Sequence, residues 1–367
     1  MKKNIGIITF HRVYNYGAVI QAYSLQNIIE SYGYKTKIID FSKKKQLDYT
    51  DIFSTKNGIK RFVKTILFLP ILKGRIRRKK RFNDFINNDL NLSNEKYNEE
   101  KYLTKIRNDY DFFVCGSDQI WNPLKTSDFS LAYMLNFTKK EKIAYAPSIG
   151  LASKDDLSPY KDLLLSFKAI SCREKGGSKV LSKITKKDVA VVLDPTLLIE
   201  KEVFLQFTEE MNCDPYLFYY SLDGYGNSSR NMDIISRLAN KFNLQIKMIT
   251  PEWPYHNNIG ENIIDAGPKE YLTLIRNAAL VCTNSFHGTA LSLKLERPIF
   301  VLEDVNIKDE RKRSILNQLG LQNRILSTLK QVDNLEEYTL DYVPVLSKMN
   351  DLKNESVLFL KNALRDD

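Results

Sequence analysis

Two successive series of short apolar runs, each alternating with stretches of helical periodicity, constrain this chain more than any other feature. The first series opens with NIGIITF at residues 4–10, the kind of apolar run that fills a parallel strand buried on both faces. From Ala18 to Tyr32, the residues Ile20, Tyr23, Leu25, Ile28 and Ile29 recur at helical spacing, and Gly33 ends the helix. TKIIDF follows as the next strand, and this strand–helix–strand opening predicts a Rossmann-like unit. Further strands are expected at 109–116, 142–150, 167–174 and 188–194. A second alternation begins with PYLFYYSL at 215–222 and continues through a helix near 228–242, QIKMIT, a helix near 268–278, ALVCTNS and PIFVL.

The pattern predicts an α/β protein of two Rossmann-like, doubly wound domains, and 367 residues are too many for one ordinary core. The expected domains are 1–193 and 194–349, joined at Asp194-Pro195-Thr196, with a C-terminal helix at 350–367 that packs back on the first. Ligands of such folds sit beyond the carboxyl ends of the strands. One stretch breaks the alternation. At 59–85 an apolar block around Ile66–Leu72 is flanked by Lys60, Arg61 and Lys64 and then by Lys73, Arg75, Arg77, Arg78, Lys79, Lys80 and Arg81. It reads either as a helical hairpin on the first domain with a solvated basic face, or as an interfacial segment on an anionic membrane surface.

The formal charge of +11 suits an anionic partner, but no nucleic-acid recognition motif accompanies it and no nucleic acid is expected. The four cysteines are scattered without C-x-x-C spacing, which argues for buried thiols in a reducing compartment. The basic-then-apolar start has too short an apolar core for a signal peptide, and no window is apolar enough to span a bilayer. A cytoplasmic protein, peripheral on the membrane at most, is the expectation.

Four strand-to-helix turns carry the polar residues that chemistry needs. In NYGAVIQAYSLQ, Asn15 and Gln21 are polar groups near the first crevice, with Gly17 expected to allow a tight turn. In VCGSDQIWNP, Asp118 and Gln119 follow a buried strand, and Trp121 offers a flat face for a sugar ring or for the core. In SCREKGGS, Arg173 is a fixed cation suited to a carboxylate or phosphate, unless it pairs with Glu174. In TNSFHGTALSL, Ser285, Phe286, His287, Gly288 and Thr289 begin a helix whose N-terminus favours anions. His287, one of three histidines, can act there as an acid, a base or an anion donor. His11 lies in the first strand-end loop, and His256 lies in the expected loop PEWPYHNN.

Together with YAPSIG, VVLDPTLLI and DERKRSILNQLGL, these stretches stand in the order of the polysaccharide pyruvyl transferase family, which the chain resembles from residue 4 to about 320. The resemblance implies a glycosyltransferase-B-like pair of domains facing across a cleft. It implies transfer of a carboxyethylidene group from phosphoenolpyruvate, as co-substrate, to two hydroxyls of one sugar, with no metal or nucleotide cofactor. The acceptor would be a glycan of a bacterial surface polysaccharide or its lipid-linked precursor. By that likeness Arg173 and the Ser285–Thr289 turn hold the donor, while Asn15, Gly17, Gln21, Gln119 and Trp121 face the acceptor. His287 and Asp118 are then the catalytic candidates.

Two other readings share the fold. A nucleotide-sugar glycosyltransferase would want a glutamate shortly after the Gly-Thr turn, where this chain has Ser292, with Glu296 a full turn further on. A non-catalytic, membrane-associated polysaccharide assembly protein would use 59–85 as its anchor and need neither Arg173 nor His287.

Overall fold

A computed structural model of the chain describes residues 3–43, 71–125, 128–222, 228–250, 259–303 and 309–365. The chain divides into two compact units. One comprises Met1–Asp51, Asn83–Ile199 and Met349–Asp367, the other Ile52–Phe82 and Glu200–Lys348.

In the first unit, described residues form a parallel sheet from β1 (Asn4–Ile8), β2 (Lys35–Phe41), β3 (Leu92–Tyr97), β4 (Phe112–Cys115), β5 (Lys142–Ala144), β6 (Ala169–Cys172) and β7 (Ala190–Val191). Its order is β3-β2-β1-β4-β5-β6-β7. Ile5, Ile7 and Ile8 of β1 and Phe113, Val114 and Cys115 of β4 are all fully buried, as strands covered on both faces must be. Helix α1 (Tyr16–Ser31) makes the crossover from β1 to β2; the side chain of Asn15 caps it, accepting from the N–H of Ala18. The order reverses between β1 and β4, and the crevice beyond their carboxyl ends is the switch point at which such sheets take ligands. Residues 9–12 and 116–119 lie there.

The second unit repeats the plan. Its parallel sheet contains β8 (Tyr216–Tyr220), β9 (Gln245–Ile249), β10 (Glu261–Asn262), β11 (Leu280–Thr283), β12 (Ile299–Leu302) and β13 (Ile325–Leu326), in the order β10-β9-β8-β11-β12-β13. The reversal falls between β8 and β11, so residues 221–222 and 284–287 occupy this sheet's switch point.

Several expectations need correction. The boundary falls at Ile199/Glu200, not at 193/194. Asp194-Pro195-Thr196 is no linker: all three residues are buried in the first unit, where Asp194 caps the short helix α4 (Pro195–Leu198). A proline at the first helical position and an aspartate before it give this turn its form. Residues 59–70 lie outside the described residues. From Leu72 to Asn88 the segment is helix α2, and its residues up to Phe82 belong with the second unit rather than the first. Arg77 and Arg81 there pair with Asp265 at 3.1 and 3.2 Å, and Arg81 with Glu270 at 3.0 Å, so part of the basic face is a packing face. Helix α9 (Tyr342–Leu364) begins earlier than expected. Its portion within the first unit is tied by Ser356 Oγ, which accepts from the N–H of Leu193, and by Leu364 O, which accepts from Tyr34 Oη.

Candidate functional site

Beyond β4 the chain turns through Gly116, at φ +119°, into a cis Gly116–Ser117 peptide and then Asp118 at φ +71°. Only glycine fits at 116, because a Cβ would stand 1.9 Å from the carbonyl oxygen of Tyr145. The left-handed backbone at Asp118 leaves its carboxylate partly open, with the side chain 14% exposed. Oδ1 accepts from the N–H of Gln119 at 2.7 Å and lies 3.8 Å from Nη2 of Arg173.

Arg173, after β6, is buried and donates through Nη1 to Oδ2 of Asp194 at 2.8 Å. The same oxygen lies 2.9 Å from Ser117 Oγ, while Oδ1 of Asp194 accepts from the N–H and hydroxyl of Thr196. Burial works against the guanidinium's charge. The opposing carboxylates of Asp194, Asp118 and Glu174 outweigh it, and the net effect raises the arginine's pKa. Arg173 is therefore a permanent cation set among carboxylates. Glu174 also faces the turn after β5: its Oε1 accepts from Ser148 Oγ at 2.9 Å and from the N–H of Ile149 at 3.0 Å.

Gln119 stands out within this cluster. It is 7% exposed, and its buried Oε1 accepts no hydrogen bond among the described residues. An amide oxygen left without a donor in a buried place costs on the order of 1–3 kcal/mol, which a ligand hydroxyl would recover.

Four other expected acceptor residues are structural. Gln21 is fully buried: Nε2 donates to Thr9 Oγ1 at 2.8 Å, and Oε1 accepts from the N–H of Ser117 at 3.0 Å. It welds the turn after β4 to the end of β1. Trp121 is also fully buried; its Nε1 donates to Tyr133 O at 2.9 Å, and its ring meets Phe167 edge-on, so it is core and no sugar platform. Gly17 sits inside the first turn of α1 and makes no turn of its own. Asn15 is spent on the cap of α1.

In the second unit, β11 leads through Asn284 and Ser285 into helix α7 (Phe286–Lys294). Ser285 Oγ accepts from the N–H of Gly288 at 3.3 Å, the cap that a serine at this position forms. A Cβ at Gly288 would stand 2.6 Å from Thr283 Oγ1, so glycine lets the helix start close against the strand. Thr289 Oγ1 donates to Ser285 O at 2.9 Å, which commits its hydroxyl to the helix. His287 is 6% exposed, with Phe286 edge-on at 5.2 Å. The turn is knit from both sides. Asn284 Nδ2 donates to Ser221 Oγ at 3.1 Å, and Asn284 Oδ1 accepts from the N–H of Leu222 at 3.0 Å.

Sequence reasoning missed Asp194, Lys312, Arg12 and Asp40, and gave His11 no partner. Asp194 lay hidden in the assumed linker, although an aspartate before a proline at a strand's carboxyl end is a cap in the right place. Lys312, buried on helix α8 (Glu310–Leu319), donates to Asn284 O at 2.9 Å and to Leu302 O at 3.4 Å, setting a cation behind the Ser285 turn. Beyond β1, His11 and Arg12 converge on Asp40 near the end of β2. His11 Nε2 lies 3.1 Å from Oδ1, and Arg12 binds both oxygens, at 2.8 and 2.5 Å. No short motif joins residues so far apart in sequence. His256 lies outside the described residues.

A sequence model of the family described as polysaccharide pyruvyl transferase matches residues 15–304. That span includes every candidate named above except Lys312 and the pair His11 and Arg12. The chain belongs to the polysaccharide pyruvyl transferase family. Its transferases act on saccharides, which suits the partly open carboxylate and buried amide beyond β4. No curated protein matches the chain in sequence. Among solved structures, a UDP-N-acetylglucosamine 2-epimerase is 11% identical and covers 100% of this chain and 98% of its own, with a TM-score of 0.54. The Methanocaldococcus jannaschii UDP-GlcNAc 2-epimerase, in complex with UDP-GlcNAc and UDP, is 16% identical, covers 96% and 100%, and has a TM-score of 0.51. The S. aureus MnaA–UDP structure is 10% identical, covers 97% of each chain and has a TM-score of 0.52. At such identities the likeness is one of fold: two Rossmann-like parallel-sheet domains, glycosyltransferase-B-like. This family member thus has VCGSDQIWNP at the switch point of the first sheet and TNSFHGTALSL at that of the second, two of the four turns that its sequence singled out.

Proposed function

We propose that the protein transfers a pyruvyl group from phosphoenolpyruvate to two hydroxyls of one sugar, in a bacterial surface polysaccharide or its lipid-linked precursor. The observation that carries this reading is the cluster beyond β4 and β6. There a partly open carboxylate, Asp118, lies 3.8 Å from the permanent cation Arg173, and the next residue, Gln119, has a buried amide oxygen that accepts no hydrogen bond among the described residues.

The chemistry makes three demands. A proton must reach the methylene carbon of the donor, leaving an oxocarbenium-like centre. A sugar hydroxyl must add and phosphate must leave. A second hydroxyl then closes the ketal, with each hydroxyl proton taken up by a base. In the first unit, Asp118 is the base, and Gln119 Oε1 receives a sugar hydroxyl. Arg173 lies 3.8 Å from Asp118 and, as the resemblance implies, offers its charge to the donor. In the second unit, the N-terminus of α7 and the cation of Lys312 favour the phosphate, and His287 supplies the proton to carbon or to the departing phosphate. No redox step occurs, and inorganic phosphate is the second product.

A nucleotide-sugar donor fits less well. Ser292 donates to Gly288 O within the helix, and Glu296 is held by Lys201 at 2.5 Å. Thermal-shift titration separates the two. Stabilisation by phosphoenolpyruvate, and none by UDP or GDP sugars, is expected; the reverse would replace this reading.

No described helix is long and apolar enough to cross a membrane. We further propose that the exposed Lys73, Ile76 and Lys80 of α2 touch an anionic membrane surface. Flotation with phosphatidylglycerol vesicles tests this, and a protein that stays in the soluble fraction would end it.

A further inference from the structure

We propose that the first unit carries a second ligand site, built for a neutral saccharide, where β1, β2 and the edge strand β3 meet the segment that leads into β4. A cavity of about 730 Å³ opens there, a size that suits a small-molecule site. Its lining joins Tyr97, Ile106 and Tyr110, which are all buried, to Asn4, Asn91, Asn94 and Glu95, which are exposed. The buried residues give an apolar, aromatic floor and the exposed ones a rim of amides and a carboxylate.

Aromatic faces accept the C–H face of a sugar ring, and amides and carboxylates hydrogen-bond to its hydroxyls. The charges argue for a neutral ligand. Glu30, Glu95 and Asp109 stand against Lys35 and Lys37 in the lining, so the chain's overall positive charge is not expressed here. Lys37 is further engaged by Asn94 Oδ1 at 2.5 Å. A phosphate would find no cationic pocket.

The floor is set in advance. Gly6 lies in the middle of β1, where a Cβ would stand 2.9 Å from Cδ2 of Tyr110 and 3.0 Å from the ring of Phe113. Glycine in a strand marks a close approach of this kind. It lets the Tyr110 ring settle against the strand, edge-on to Phe113 at 5.5 Å. Burial first, and then the acids beside them, push Tyr97 and Tyr110 both up to about 12, so their hydroxyls remain neutral.

The cavity shares no residue with the cluster around Asp118. Asn4 and Lys35 begin their strands, whereas the reacting groups lie past the strands' carboxyl ends. A sugar held here is therefore not the one that reacts, and the inference does not rest on pyruvyl transfer.

Saturation-transfer NMR on the full chain tests it directly, with cellobiose, lactose and N,N′-diacetylchitobiose as probes at about 10 mM. At least one probe should receive saturation. The signal should persist in Asp118→Asn and fall about fivefold in Asn94→Ala or Tyr97→Phe, the change expected for one hydrogen bond. Asn94 is exposed, so its replacement leaves the fold intact. No transfer to any probe, or transfer unchanged in both cavity variants, would overturn the proposal.

Discussion

Asp194 accepts hydrogen bonds from Ser117, Thr196 and Arg173 while almost wholly shielded from water. Removing one partner of a buried ion pair strands the other, and the cost is typically about 3–5 kcal/mol. Asp194→Ala should therefore lower stability by about that amount in denaturant melts; a loss under about 1 kcal/mol would show that the arginine had found another partner. Asp40 gives a pH-dependent counterpart. Burial pushes its pKa up, but hydrogen bonds and charge from Arg12 and His11 prevail, and hold the carboxyl well below its ordinary value of 3.8. A carboxylate depressed in the folded state adds stability above its unfolded pKa and loses it as the pH falls through the folded one. The stability gap between wild type and Asp40→Asn should be widest near neutrality and shrink below about pH 4. A gap that widens on acidification would contradict the pairing.

At the scale of elements, the start of α7 depends on the missing side chain at 288. Alanine in place of a helical glycine normally stabilises by about 1 kcal/mol. Here its Cβ would meet Thr283 at 2.6 Å, so Gly288→Ala should instead destabilise, by about 1–3 kcal/mol, as overpacking does. Circular-dichroism melts decide the sign, and a stabilised variant would mean that the helix start can shift. Apolar runs made β1, β4, β8 and β11 readable from the sequence because central parallel strands are buried on both faces. The edge strand β3, LSNEKY, was not readable: three of its six residues are exposed and it carries no apolar signature. The same limit applied to side chains. The helix start at Ser285 was legible, since strand-to-helix turns are local, whereas the burial of Trp121 and Gln21 depends on Tyr133, Phe167 and Ser117, which periodicity cannot place.

For the whole molecule, the two switch points carry two different residue sets. The first sheet presents Asp118, Gln119 and Arg173; the second presents a helix N-terminus with His287 and a buried lysine behind it. The order of motifs conveyed that plan, while the assignment of 71–82 to the second unit did not follow from it. Pyruvyl transfer itself is tested most directly by running the reaction in D₂O with phosphoenolpyruvate and a surface-polysaccharide precursor, then analysing the acceptor by mass spectrometry and NMR. One ketal per modified sugar, a single deuterium in its methyl group and an equivalent of phosphate are expected, with product formation lost in His287→Ala and Asp118→Ala. Normal turnover in His287→Ala, or an acceptor that gains a sugar from UDP-hexose and nothing from phosphoenolpyruvate, would contradict it.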